Sequence, residues 1–194
     1  MLICVTNRKL CRDDFLKQIN LIAKGKPKGI MLREKDLNLC QYENLALKVK
    51  SICDTHQVPL IINEKIEIAA KMKIPYIHLS MADLRIYKKE LHQFTHIGAS
   101  IHSTSEAKEA EKLGATYLVA GHIFATDCKK GIPPKGISFL KEVCNSVVIP
   151  VFAIGGITKT KVKAVKDAGA AGVCIMSEAM TCLNPLDLAE SFNF

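Results

Sequence analysis

The chain has 194 residues and a formal charge of +8, with 48% apolar and 24% charged residues. This length suits one domain, and the composition is that of a globular protein rather than a disordered one. No run approaches the roughly 18 apolar residues that cross a bilayer, and the apolar start has no basic leader. We therefore expect a cytoplasmic protein with no membrane partner.

Neither the basic excess nor the cysteine content indicates a macromolecular or metal partner. The 27 Lys and Arg residues are scattered among 19 acidic residues, and Trp is absent, whereas nucleic-acid surfaces usually cluster their cations. A solvated basic surface with one anion site explains the charge without nucleic acid. The eight cysteines form no C-x-x-C pair, which indicates reduced thiols rather than disulfides or zinc.

Short apolar runs alternate with longer helical patterns along the whole chain. The eight predicted strands are Leu2–Thr6, Gly29–Arg33, Pro59–Asn63, Tyr76–Ser80, His96–His102, Thr116–Ile123, Pro150–Gly155 and Gly172–Ser177. The predicted helices include Tyr42–Thr55, Ser105–Leu113, Ser138–Cys144 and Lys159–Ala168. Continuously apolar strands are typical of parallel sheets buried on both faces. Eight strand–helix units of similar, short length predict an α/β fold, a single (β/α)8 TIM barrel over residues 1–194. A doubly wound sheet is the alternative.

Polar residues stand at the C-terminal end of nearly every predicted strand, and this favours the barrel. A barrel gathers these ends on one face, where active sites of the fold lie, whereas a doubly wound sheet leaves half of them unexplained. The candidates for a substrate site on that face are Arg33, Lys35, Asn63, Ser100, His122, Thr126, Lys129, Gly155, Gly156 and Ser177.

A phosphate site is predicted after the last two strands. Gly155 and Gly156 let backbone amides approach an anion without a Cβ in the way, and Ser177 follows the neighbouring strand. The loops after strands seven and eight form the recurrent phosphate site of this fold. The alternative is that the glycines only permit a tight turn. The long loop that carries Thr126 and Lys129 has the character of a lid with an anion-binding lysine.

Two further groups of residues could carry chemistry. Glu64 after strand three and Asp83 after strand four could hold Mg²⁺ beside substrate phosphates. His122 follows a strand at the barrel mouth, where a neutral imidazole can accept and return a proton. A hydrogen-bonded structural histidine is the alternative for His122, and packing roles are expected for His78 and His102.

Five segments in the same order resemble the thiamine phosphate synthase/TenI family. They are GASIHS at 98–103, AGHIFATDCKKG at 120–131, VFAIGGI at 151–157, LREK at 32–35 and INEK at 62–65. The resemblance covers nearly the whole chain and implies a TIM barrel, a small phosphorylated thiazole as substrate and assembly into homo-oligomers of unspecified size.

The family has two activities, and this sequence departs from one of them. The resemblance implies that the synthases join a pyrimidine methyl diphosphate to a thiazole phosphate with Mg²⁺. The matching positions here are Asp83, Ser100, Thr126 and Lys129, and the departures are Met31 for a glutamine, Glu64 for an aspartate, Ala125 for a proline and Cys128 for a threonine. These departures fall mainly on the contacts to diphosphate and metal.

The pair Gly121-His122 is similar to the TenI-like thiazole tautomerases, where synthases carry Gly-Pro. We therefore expect an isomerase without a cofactor, in which His122 moves a proton to aromatise a dihydrothiazole phosphate carboxylate. The glycine pair and Ser177 would hold the phosphate, and Lys129 or Arg33 the carboxylate. The alternatives are a thiamine phosphate synthase with Mg²⁺ at Glu64 and Asp83, and a non-catalytic TenI-type regulator.

Overall fold

Eight short parallel strands pair in chain order and close into a barrel in the computed structural model, which describes residues 1–192. The strands are β1 Leu2–Val5, β2 Gly29–Leu32, β3 Leu60–Asn63, β4 Tyr76–Leu79, β5 His96–Ile101, β6 Tyr117–Gly121, β7 Val151–Ile154 and β8 Gly172–Ile175. The barrel closes where β8 pairs with β1, with Val173 opposite Leu2. The predicted TIM barrel is confirmed, and each strand lies within two residues of its predicted bounds. The predicted domain ran to residue 194, and its last two residues lie outside the described part.

Helices cover the outside of the barrel between successive strands. They are α1 Phe15–Lys24, α2 Leu39–His56, α3 Ile66–Lys71, α4 Met81–Ile86, α5 Thr104–Lys112, α6 Gly136–Ser146, α7 Val162–Asp167, α8 Ser177–Thr181 and α9 Leu188–Ser191. Side-chain caps define several starts: the Ser103 side chain accepts from the backbone N–H of Glu106. The predicted helix Lys159–Ala168 instead begins as a 3₁₀ turn that precedes α7.

The strands are apolar throughout because they bury both faces. Along β1, Leu2 and Cys4 pack outward against the helices, whereas Ile3 and Val5 pack inward. The inward set fills the barrel, and its members are Ile3, Val5, Met31, Ile61, Tyr117, Val119, Phe152 and Cys174. Since side chains pack the interior, a ligand has room only above them, at an end of the barrel.

The cysteines form no disulfide bond in this structure. All eight are free. Burial raises the pKa of the Cys53 thiol to about 12, which keeps it protonated and unreactive. Within residues 1–192 no helix is both long and apolar enough to cross a bilayer.

Candidate active site

A cavity of about 650 Å³ opens at the C-terminal ends of the strands, a volume suited to small ligands. It gathers residues from all eight strand ends and from the loop after β6. The candidate residues that line it are Arg33, Lys35, Asn63, Glu64, Ser100, His122, Thr126, Lys129, Gly155, Gly156 and Ser177. Asp83 is not among the lining residues. A smaller depression of about 410 Å³ beside α8 shares only Glu178 with it.

The glycine pair after β7 is required by close packing as well as by the turn. Gly155 and Gly156 have φ of 97° and 63°, in the left-handed region. A Cβ on Gly155 would overlap His122, and one on Gly156 would overlap the backbone carbonyl groups of Phe124 and Ala125. The pair therefore brings the β7 loop against the start of the loop after β6. Both glycines line the cavity, so the predicted phosphate role remains compatible with this packing.

The lid, defined as residues 125–135, contacts the end of β8, and Lys161 lies against the residue just before the lid. Cys128 Sγ lies 3.5 Å from Ser177 Oγ, which connects the lid to the end of β8. Lys161 Nζ donates to the Gly156 carbonyl oxygen at 2.7 Å and lies 4.6 Å from the centroid of the Phe124 ring. The sequence analysis missed Lys161; its only signal was a lysine shortly after the glycine pair.

His122 is buried at the base of the lid, with 4% of its surface exposed. Its Nε2 lies 3.2 Å from the carbonyl oxygen of Ile132. Because a carbonyl oxygen can only accept, Nε2–H is the donor in this contact, and Nδ1 has no hydrogen-bond partner among residues 1–192. The His122 carbonyl oxygen also accepts from the backbone N–H of Lys135 at 2.9 Å. The residue thus anchors the far end of the lid and offers one basic nitrogen.

A buried carboxylate that the sequence analysis did not assign organises the ends of β1 and β2. Glu34 is 3% exposed. It accepts from the Thr6 hydroxyl at 2.7 Å, and from the backbone N–H and the guanidinium of Arg8 at 3.0 Å. Thr6 Oγ1 in turn accepts from the backbone N–H of Arg33 at 3.0 Å. Glu34 therefore positions the segment that brings Arg33 to the cavity. The signal in the sequence was a carboxylate directly after an apolar strand.

Of the two carboxylates proposed for Mg²⁺, only Glu64 lines the cavity. Glu64 lines the cavity, where its Oε1 pairs with Lys35 Nζ at 3.1 Å. Asp83 accepts from the Ser80 hydroxyl at 2.7 Å in the first turn of α4. Residues 1–192 contain no group of three His, Cys, Asp or Glu side chains placed to hold a metal ion. One carboxylate with substrate phosphates and water is a donor set that Mg²⁺ accepts. The cavity thus fits this ion through Glu64 when the remaining oxygen ligands come from a phosphate and water.

Two more histidines reach the cavity while hydrogen-bonded within the protein. His102 Nδ1–H donates to the Gly121 carbonyl oxygen at 2.7 Å. His78 lies between Ser100 Oγ, 2.8 Å from its Nε2, and the Tyr117 hydroxyl, 3.2 Å from its Nδ1. Burial, helped by the positive charge of Arg33, lowers the pKa of His78 to about 3. His78 is therefore neutral at physiological pH.

Comparison with known proteins places this architecture among thiamine-related enzymes. The sequence pattern of a family described as thiamine monophosphate synthase (TMP-TENI) matches residues 2–179. A thiamine-phosphate synthase of Clostridium acetobutylicum is 36% identical over 189 residues, which cover 96% of this chain and 90% of the relative. One of Fusobacterium nucleatum is 39% identical over 176 residues, covering 89% and 85%. The solved thiamine phosphate pyrophosphorylase of Pyrococcus furiosus superposes with a TM-score of 0.87 at 26% identity, covering 98% and 92%.

Proposed function

The chain belongs to the thiamine monophosphate synthase family, and we propose that it makes thiamine phosphate by joining a pyrimidine methyl diphosphate to a thiazole phosphate. The observation that carries this proposal is the 36–39% identity, over about nine tenths of the chain, to relatives named thiamine-phosphate synthase. The sequence analysis gave this reaction as the alternative to a tautomerase. The comparisons support it better than the tautomerase, because neither relative carries an isomerase name.

The cavity has candidate anion-binding groups at three places around its rim, which suits a reaction between two phosphorylated substrates. Gly155, Gly156 and Ser177 line it after β7 and β8. Arg33 lines it after β2. Lys129 lines it from the lid after β6, so these two cations lie on opposite sides of the eight-stranded barrel. In this proposal the glycine side holds the thiazole phosphate and the two cations attract the diphosphate. The new C–N bond forms as the C–O bond to diphosphate breaks.

In this proposal the protein would supply a single ligand to Mg²⁺. Glu64 is the residue that would hold it, together with oxygens of the substrate. When bound, the ion would offset negative charge on the leaving diphosphate. Lys35 reaches the same carboxylate, so it orients Glu64 in the absence of substrate and adds positive charge to that side of the cavity.

The test supplies purified protein with the pyrimidine diphosphate and the thiazole phosphate, and measures thiamine phosphate by chromatography with and without Mg²⁺. Metal-dependent formation of thiamine phosphate is the expected result. No product in either condition would contradict the proposal. Glu64→Gln should lower the rate and raise the Mg²⁺ concentration needed for half of it, whereas Glu67→Gln, a change on the exposed part of α3, serves as the matched control.

A second candidate function, thiazole tautomerase, is favoured by His122. A buried imidazole with its proton on Nε2 and a free Nδ1 is suited to moving one proton within a bound substrate. Met31 lines the cavity where the family resemblance implies a glutamine for the synthase. In this candidate, Nδ1 removes the ring proton of a dihydrothiazole phosphate carboxylate and returns it to the exocyclic carbon. Glu64 then has no metal to hold.

Ultraviolet absorbance separates the two candidates. Aromatisation of the dihydrothiazole phosphate carboxylate is followed without metal, with wild-type protein, His122→Ala and the exposed-site control His96→Ala. Conversion that falls by about 10²- to 10⁴-fold in His122→Ala alone would assign the tautomerase. No acceleration over buffer would exclude it. If neither assay shows turnover but thiazole phosphate binds, the regulatory protein is the remaining explanation.

A further inference from the structure

A chain of three polar side chains runs from the packed barrel interior up to the cavity. Tyr117 belongs to the inward-facing core, His78 lies above it and Ser100 lines the cavity. Tyr117 Oη lies 3.2 Å from His78 Nδ1, and His78 Nε2 lies 2.8 Å from Ser100 Oγ. The three residues come from β6, β4 and β5, so they meet only in the closed barrel.

The hydrogen bonds among these three side chains have only one arrangement in which the buried Tyr117 and His78 leave no donor without an acceptor. Burial keeps His78 neutral, so its ring carries a single N–H. Among the described residues, Tyr117 Oη has no other hydrogen-bond partner. If His78 Nδ1 donated to it, the buried tyrosine proton would have no acceptor, which is unfavourable. Tyr117 therefore donates to Nδ1, and Nε2–H donates to Ser100 Oγ.

This arrangement determines what Ser100 can do. Its oxygen already accepts from His78, and its own proton has no acceptor among residues 1–192. We propose that Tyr117 and His78 are positioning residues that hold the Ser100 hydroxyl as a hydrogen-bond donor into the cavity, so that the site selects a substrate with an oxyanion there. A group that can only donate would face a donor and be rejected.

Of two neighbouring residues, Arg33 supports an anion at this place and Gly98 makes room for the three side chains. Arg33 lines the same cavity, and its positive charge acts on His78, so it lies close to the chain. Gly98 on β5 makes room for the chain, because a Cβ there would overlap both the Tyr117 ring and His78 Nδ1. Because the proposed function uses Arg33 to attract the diphosphate of the pyrimidine substrate, the oxyanion that Ser100 would meet is that diphosphate. Naming this ligand rests on the proposed function, whereas the direction of the chain does not.

The direction is tested by ¹⁵N NMR of protein labelled at its histidines, with the His78 signals assigned from their loss in His78→Asn. We expect wild-type His78 to carry its proton on Nε2. Tyr117→Phe removes the donor to Nδ1, so the Nδ1–H form should appear. Tyr76→Phe is the matched control, since Tyr76 stacks on His96 on the adjacent strand without reaching His78; it should leave the His78 signals unchanged. A proton on Nδ1 in wild type would overturn the proposal.

The selection is tested by calorimetry with the pyrimidine methyl diphosphate and thiazole phosphate as probes. Ser100→Ala should weaken binding of the diphosphate by about tenfold, as expected for a lost hydrogen bond to a charged group, and binding of thiazole phosphate by much less. Equal losses for both probes would overturn the diphosphate assignment. If wild type binds neither probe, the proposed function itself fails, and the NMR result alone decides whether Tyr117 and His78 direct the Ser100 hydroxyl.

Discussion

Mild acid should destabilise this protein through one buried histidine. Burial, with help from the charge of Arg33, lowers the pKa of His78 to about 3, whereas an unfolded chain protonates histidine near pH 6.5. Between these values the unfolded state binds a proton that the folded state does not, so stability falls as the pH falls and levels off below about pH 3. A difference of one proton is worth about 1.36 kcal/mol per pH unit. From pH 7 to pH 5, His78 should therefore remove about 2 kcal/mol.

The assay is urea unfolding of wild type and His78→Asn at pH 7, 6 and 5. The variant loses the hydrogen bonds of the imidazole at every pH, so its absolute stability is not diagnostic. The diagnostic quantity is the change of stability with pH, which should be smaller in the variant by about 2 kcal/mol over this range. His96→Asn, which removes an exposed imidazole, is the matched control. Parallel pH profiles for wild type and His78→Asn would refute the reasoning.

Three further perturbations follow from the contacts near the cavity. Glu34→Ala should lower the free energy of unfolding by about 3 kcal/mol, because buried partners such as the Thr6 hydroxyl lose their acceptor; an unchanged urea midpoint would contradict this. Gly98→Ala should cost about 1–3 kcal/mol by overpacking the rings beside it, and a wild-type melting temperature would show that they can move. Arg8 and Lys9 hold the pKa of Asp36 below its usual range, so its stabilising effect is present above about pH 3.9 and lost in stronger acid. Asp36→Asn should therefore flatten the acid limb of the stability profile, and an unaltered limb would exclude this contribution.

Strand positions were predictable because each strand is a short apolar run bounded by turn or polar residues. The barrel buries both strand faces, so the pattern is local and strong, and observed bounds differ from predicted ones by two residues at most.

The candidate site was largely predictable for a topological reason. In a closed parallel barrel all C-terminal strand ends share one face, so polar residues at those ends meet around one cavity.

Asp83 is a predicted metal ligand that does not line the cavity. It follows β4 in sequence, yet α4 begins at once, and Asp83 bonds to the Ser80 cap instead of lining the cavity. The carboxylate of Asp83 therefore takes part in local helix capping and does not reach the cavity lining. Glu34 shows the converse: it was unassigned in the sequence, but its hydrogen bonds reach Thr6 and Arg8, more than 25 residues away.

Local periodicity and contiguous motifs were enough to predict the eight-fold alternation, the face that carries the polar residues and the resemblance to thiamine-related enzymes. The folded barrel was needed to show that Lys35 faces Glu64, that the His122 ring is bonded to the lid, and that Tyr117, His78 and Ser100 form one hydrogen-bonded chain. These contacts join residues from different strands or from opposite ends of a loop. Barrel closure and the burial of polar groups determine which residues meet in these contacts, and a local sequence pattern does not contain this information.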